Sequence, residues 1–393
     1  MDLNRSTSVV VCVLTLWLAP EAGAQDHVAD ALAFLVTSQS VNTGSEARDA
    51  AAADATSRTI SSALLANLAA LPITSTAGAF SYQLNPALGT VERSTQSFGP
   101  VFADRAVTLG AGTATIGLSF QHLRFTALDG RNLRGGTLVT TANQFVDEPE
   151  AFDVDRLTLG IDADVATLYG SVGLTDRVDV AVAAPLVSLR LNGARVNAYR
   201  GRQFTQATAR ATALGVADLL VRSKVRLLTY EGMNLAGAVD VRLPTGSRED
   251  LLGTGRTAVR MSAVGSAEGP RTSAHASIGL AFGGLATEFT YSGAVATAAS
   301  PRLTLTAEAL GRWADLPGDI VRVEQPHPLL AGVNTIRLLP GSSRLQTLTL
   351  APGLKWNVTG TWILVANVGI PMLKGGLRAP VMPMVALEYA LGR

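Results

Sequence analysis

The chain has 393 residues, of which 47% are hydrophobic, 16% charged and 5% aromatic, with 32 Lys and Arg against 31 Asp and Glu. That balance excludes the basic surplus expected of a nucleic-acid-binding protein. The 38 Gly follow no period, which excludes a collagen-like chain, and no segment beyond the N-terminal signal offers the ~18 consecutive apolar residues of a membrane helix.

Met1 to Ala24 reads as a secretory signal. Arg5 gives a positive start, Val9 to Ala19 an apolar core, and Ala22-Gly23-Ala24 a small-x-small cleavage site. Cleavage near Ala24 leaves a mature chain without cysteine, because the single Cys12 lies inside that core. Residues 25–76 are expected to be an N-terminal helical, periplasmic segment. Over Thr59 to Leu71, Ile60, Leu64, Leu68 and Leu71 fall on one helical face, and Pro72 ends the run. A periplasmic or interfacial place is expected for this helix in preference to a plug.

From 77 to 393 the period changes to two. Twelve segments read as strands: about 113–125, 156–174, 177–191, 216–229, 234–243, 257–267, 272–282, 287–298, 302–313, 345–358, 361–372 and 381–391. They are longer than the five or so residues of an ordinary soluble strand. Turn-forming pairs such as Thr175-Asp176, Glu231-Gly232 and Thr359-Gly360 join them on one side. The alternate connections are long, at 126–155, 192–215, 244–256, 314–344 and 373–380, with Gly283 to Ala286 the exception. Short turns on one rim and long loops on the other predict an all-β fold, an antiparallel transmembrane β-barrel in the outer membrane. Twelve strands are expected, or fourteen if 80–97 adds a hairpin.

Alternation predicts the faces. Trp356, Trp362 and Tyr389 fall on the apolar, lipid-facing side near the short turns, where an aromatic girdle belongs. On the polar side lie Asp218, Arg222, Lys224, Arg226, Asp240 and Arg242, joined by Asp162, Asp164, Asp179, Arg190, Arg260, Glu308 and Arg312. If the hairpin around Glu231-Gly232 pairs residues summing to 464, Lys224 faces Asp240 and Arg222 faces Arg242. These charges read as ion pairs filling a narrow lumen, or as a constriction that selects solutes. A change of apolar parity from Val182 to Val187 predicts a bulge at Pro185.

Catalytic chemistry has little support. His27, His122, His275 and His327 show no metal-ligand spacing, and no cofactor motif is present. His275 and Ser277 share a strand face, the minimum for a base and a nucleophile, which leaves a barrel lipid hydrolase as a minor alternative.

Two stretches carry a resemblance: "GVADLLVRSKVRLL" from 215, and "VDVRLPTGSREDLLGTG" from 239. With Gly215, Asp218, Lys224, Leu243, Pro244, Thr245, Gly246, Leu252, Gly253 and Gly255 they resemble the outer-membrane "transporter" family of the MetA pathway of phenol degradation. The block at 80–110 is similar to the N-terminal block of some members. The resemblance spans roughly 80–393 and implies a porin-like channel for small hydrophobic or aromatic compounds. Expected partners are such solutes, outer-membrane lipids, and the barrel-assembly machinery, which would read the last strand at Tyr389 and Leu391. The rival reading is a structural or adhesive barrel with an occluded lumen.

Overall fold

A computed structural model describes residues 27–37, 60–67, 82–85, 90–93, 95–327 and 330–391. The signal sequence and its cleavage site lie outside them. Twelve antiparallel strands close into a barrel. They are β1 (Ala114–Phe125), β2 (Asp153–Gly173), β3 (Val178–Tyr199), β4 (Arg202–Val216 continued by Leu219–Tyr230) and β5 (Met233–Leu243). The circuit continues through β6 (Ala258–Glu268), β7 (Thr272–Gly283), β8 (Glu288–Ser300), β9 (Leu303–Pro317), β10 (Arg344–Asn357), β11 (Trp362–Pro371) and β12 (Met382–Leu391). Pairing of β12 with β1, from Met384↔Gln121 to Leu391↔Ala114, closes the ring. Hydrocarbon satisfies no backbone N–H or C=O, so a sheet with an apolar outer face is stable there only when closed. The hairpin expected within 80–97 does form, Tyr82–Asn85 with Thr90–Arg93, but as a separate two-stranded sheet.

The outer face carries exposed Leu118, Phe120, Leu186, Leu214, Ile278 and Val385 among many others. Trp356 and Trp362 are exposed at the short-turn end, and the Trp362 and Tyr389 rings lie 4.7 Å apart. A second aromatic cluster, Phe289, Tyr291 and Trp313, marks the other rim, with centroids 5.5 to 6.1 Å apart. Gln346, register partner of Trp313, is ten residues before Trp356 on β10. At ~3.4 Å per residue and a tilt of ~40°, that separation is about 26 Å, the height of an outer-membrane apolar band.

Four details differ from the sequence reading. The stretch 192–215 is not a loop: β3 and the first half of β4 run through it and turn at Arg200-Gly201. Both turn residues have positive φ, 46° and 79°, the two-residue geometry that matches strand twist. The stretches 126–155 and 314–344 also contain strands, and Val333–Pro340 pairs with Leu138–Phe145 to extend the wall beyond β2. Third, the β4–β5 hairpin sums to 462 beyond an irregularity between Arg226 and Leu228, so Arg222 faces Asp240, not Arg242, and Lys224 faces Ala238.

The fourth concerns Pro185. The β2–β3 register runs unbroken from Asp153↔Tyr199 to Gly173↔Asp179. Odd residues of β3 face inward throughout, from Asp179 to Leu189 and Asn197. The break is on the facing strand: β3 pairs with β4 as Leu186↔Val216 above and Ala183↔Leu220 below, leaving one extra residue around Ala217-Asp218. Apolar parity changes on β3 because the surroundings of its inner face change from polar to apolar. By the same parity Asp162, Asp164 and Arg190 point outward, on the face of Leu168 and Leu186, and not into the lumen.

What the upper inner face meets is the N-terminal helix α1 (Val28–Thr37). Leu32, Leu35 and Val36 are buried in one cluster with Leu157, Ile161, Leu189 and Ala211 of the wall. Gly193 allows this approach: a Cβ there would stand 2.6 Å from Leu35. A ten-residue helix is marginal alone in water, so this packing is what holds it. A second helix, 60–67, buries Ile60 and Leu64 in the same cluster. The described part of the 25–76 segment therefore lies inside the long-loop end of the barrel, not at the short-turn rim. The apolar face of Ile60 and Leu64 finds its partner in the barrel wall.

Candidate functional site

The short-turn half of the lumen is filled by 95–113. Thr95 Oγ1 donates to the Gly269 carbonyl at the short-turn rim. The chain then rises to about Asp104 and descends, where Leu109 N–H donates to the Asp179 carboxylate at 3.1 and 3.2 Å. Phe98, Val101 and Phe102 pack against inward Ile363, Val365 and Met384. That packing explains why apolar residues face inward on β11 and β12.

Four of the wall charges predicted from sequence, Glu308, Arg222, Lys224 and Asp179, are the posts that hold this loop. Glu308 accepts three successive backbone N–H groups, from Val101, Phe102 and Ala103, at 2.6, 2.8 and 2.7 Å. Arg222 spans Asp240 on β5, with Nε at 2.5 Å, and Asp104 on the loop. Lys224 Nζ lies 3.1 Å from Asp179 and donates to the Arg105 and Val107 carbonyls at 3.2 and 2.7 Å. Arg226 donates to the Asp176 carbonyl near the short turn. Asp218 accepts from Gly246 N–H and from Thr254 N–H and Oγ1, closing the loop between β5 and β6 onto the wall.

Asp104 and Arg105 lay outside the sequence reading of the site. No periodicity marks 95–113, and only the resemblance of 80–110 gave it a signal. Arg105 is 1% exposed and reaches Glu268 at 3.3 Å.

Above the loop, Arg260 joins Asp240, with Nε at 2.8 Å. Arg312 donates to the Ala66 carbonyl of the second helix at 3.0 Å and stands 3.7 Å from Glu288. These groups, Arg242 and the hydroxyls of Ser277 and Thr349 line a cavity of about 260 Å³ between Phe102 below and Ala66 above.

Two further anchors hold the helices. Arg195, 1% exposed, donates to the Val36 carbonyl at 2.6 Å and to Asp155 at 2.6 Å, capping the last turn of α1. At the other end His27 lies 2.9 Å from Asp250 and 3.2 Å from Glu249. The hydrogen bond to Asp250, then the nearby carboxylate charges, raise the His27 pKa above its ordinary value, against a smaller desolvation effect. A raised folded-state pKa means the tie is fully present below ~6.5, the value of a free imidazole, and is lost as pH rises through the folded value. Protease access to the N-terminal segment should therefore be greater at pH 8.5 than at pH 5.5. The difference should vanish in His27→Ala; equal access in the unaltered protein would refute the tie.

The pair His275 and Ser277 does share the inner face, but the two are not joined. The ring nitrogens of His275 meet Ser266 and Ser273 at 2.8 and 2.9 Å, while Ser277 meets Ser292 at 2.8 Å. Ser277 therefore lacks the adjacent base that a nucleophile needs. Among the described residues no group of three or more His, Cys, Asp or Glu is placed to hold a metal ion.

An apolar outer band, two aromatic girdles and a polar, charged interior define an outer-membrane β-barrel, here with its lumen occupied by its own chain. No family model matches the chain, and no curated protein matches it by sequence. Among solved structures it is similar to an outer membrane channel from Pseudomonas putida F1. The identity is 14% over 73% of this chain and 98% of that one, with a TM-score of 0.47. It is also similar to the KdgM porin in complex with disordered oligogalacturonate (11% identity, 61% and 99% covered, TM-score 0.37). A third is the translocator domain of the autotransporter NalP from Neisseria meningitidis (11%, 71% and 88%, 0.39).

Proposed function

We propose that the protein is an outer-membrane channel for small solutes, held closed in this state by its own N-terminal chain. The observation that carries this is the cavity between the 95–113 loop and the second helix. It lies inside the barrel against the β4 to β10 side of the wall and is lined by Arg222, Asp240, Arg242, Arg260, Arg312 and hydroxyls. A solid structural core would bury apolar side chains there, whereas a pathway needs polar groups that exchange partners. The strand and loop motifs at 215–228 and 239–255 resemble those of the phenol-pathway transporters. That resemblance favours small aromatic compounds as solutes, and the polar lining favours those bearing a hydroxyl or carboxyl.

The rival is a structural or adhesive barrel with a permanently occluded lumen, and the close packing of 95–113 favours it. Uptake of labelled phenol or toluene at low concentration separates the two, in cells with the gene, without it, and with Lys224→Glu. That substitution sets a carboxylate against Asp179 and two carbonyls and should eject the loop. Uptake should depend on the gene and rise several-fold in the variant. Equal uptake in all three cells would sink the aromatic-channel reading.

A further inference from the structure

We propose that the outer face of β1 to β4, at the long-loop rim, binds the phosphorylated sugar head group of an outer-leaflet lipid. The ladder registers stack this face in rows. Phe120, Ala166, Leu186 and Val216 form an apolar row across the four strands. Two residues further toward the long loops the row is His122, Asp164, Ser188 and Leu214, and two further still it is Arg124, Asp162, Arg190 and Thr212. Arg210 follows in the next row, beside Asn192. The apolar band thus gives way to cations within two rows, the depth at which lipid head groups begin.

At the same rim β8 and β9 present Phe289, Tyr291 and Trp313 instead. The guanidinium groups are held but open. Arg190 lies 2.7 Å from Asp164, Arg124 lies 3.1 Å from Asp162, and Arg134, from the loop after β1, lies 3.5 Å from Asp162. The side chains of Arg124, Arg134 and Arg190 remain 60%, 44% and 45% exposed, while Asp162 and Asp164 beneath them are 17% and 23% exposed. Asp162 meets one nitrogen each of Arg124 and Arg134, and Asp164 meets one nitrogen of Arg190 and His122 Nδ1 at 2.6 Å, so the exposed guanidinium groups keep further N–H donors for a ligand. With Arg210, four arginines stand over two carboxylates, a net positive surface of fixed geometry.

Planar guanidinium forks bind phosphate oxygens in pairs, and acyl chains below would lie along Phe120 and Leu186. A lipid carrying two phosphates on a sugar head group matches both halves: the phosphates span the arginine row and the chains follow the apolar row.

The test uses the folded full-length protein in detergent, with native mass spectrometry as the readout. Bisphosphorylated lipid A, its dephosphorylated form and phosphatidylglycerol are compared as probes. Lipid A should be retained at least tenfold better than the dephosphorylated form, and better than phosphatidylglycerol. Arg124→Glu with Arg190→Glu should abolish that preference. Arg210→Glu, which disturbs neither of those ion pairs, should weaken it several-fold in a chain that keeps its heat-modifiable gel shift. Equal retention of all three lipids, preference for phosphatidylglycerol, or folded variants that bind like the unaltered protein would each overturn the proposal.

Discussion

Replacing Glu308 by Ala should open the short-turn half of the lumen. The Glu308 carboxylate is the common acceptor for the N–H groups of Val101, Phe102 and Ala103. Hydrogen bonds to a charged acceptor contribute about 1.5–3 kcal/mol each, and these three share one post, so they are lost together. Their donors would be left buried without an acceptor, a penalty the loop escapes only by leaving the wall for water. Single-channel conductance in planar bilayers should rise several-fold over the unaltered protein, with the heat-modifiable gel shift of a folded barrel retained. Glu308→Gln should give an intermediate value, because its amide oxygen still accepts. Unchanged conductance in a folded Glu308→Ala barrel would show that 95–113 does not control the pore.

Arg222→Ala should be the most destabilising single change among the lumen charges. Arg222 is buried, with its guanidinium shared between Asp240 and Asp104. Removing one member of a buried pair strands the other, at a cost of about 3–5 kcal/mol. Asp240 keeps Arg260 as a partner, so most of the penalty falls on Asp104 and on the loop that carries it. Adding Asp104→Asn to Arg222→Ala should therefore recover part of the loss, and that recovery distinguishes a stranded charge from lost packing. Arg222→Lys should remain impaired, since one ammonium cannot reproduce the two-sided fork. Urea unfolding in lipid vesicles reads all three. A cost for Arg222→Ala below about 1 kcal/mol would place the pair among weak surface contacts.

The barrel itself was legible before any coordinate. Long period-2 segments, loops sorted by length, and Trp356, Trp362 and Tyr389 near the short turns together specify a closed sheet in a membrane. On β4 to β12 the residues that alternation puts on the polar side, among them Asp218, Lys224, Asp240 and Glu308, lie on the buried inner side of the wall, because a lipid-facing residue is selected for one property along the whole strand. Alternation failed on β2 and β3, where Asp162, Asp164 and Arg190 were assigned inward. There the long-loop part of the strands has water or head groups outside and an apolar helix inside, so the polar side is the outer one. Periodicity reports which face is apolar, and it does not report whether lipid or a packed helix makes it so.

The register of the β4–β5 hairpin was likewise beyond the sequence. The hairpin sums to 463 beside its turn, one less than the 464 expected, and one extra residue between Arg226 and Leu228 lowers the sum to 462, which sets Asp240 instead of Arg242 opposite Arg222. Such an irregularity costs little and leaves no mark in composition.

The sequence by itself determined the class of the fold, the outward aromatic anchors and the set of lumen charges on β4 to β12, since each follows from alternation along one strand. Only the tertiary structure decided what those charges hold. Besides neighbours on the wall, Glu308, Arg222, Lys224 and Arg195 hold backbone groups and side chains of 95–113 and α1, roughly 100 to 200 positions away in sequence. A non-repeating segment has no period to read, and its place inside the barrel is set by the closure of strands around it.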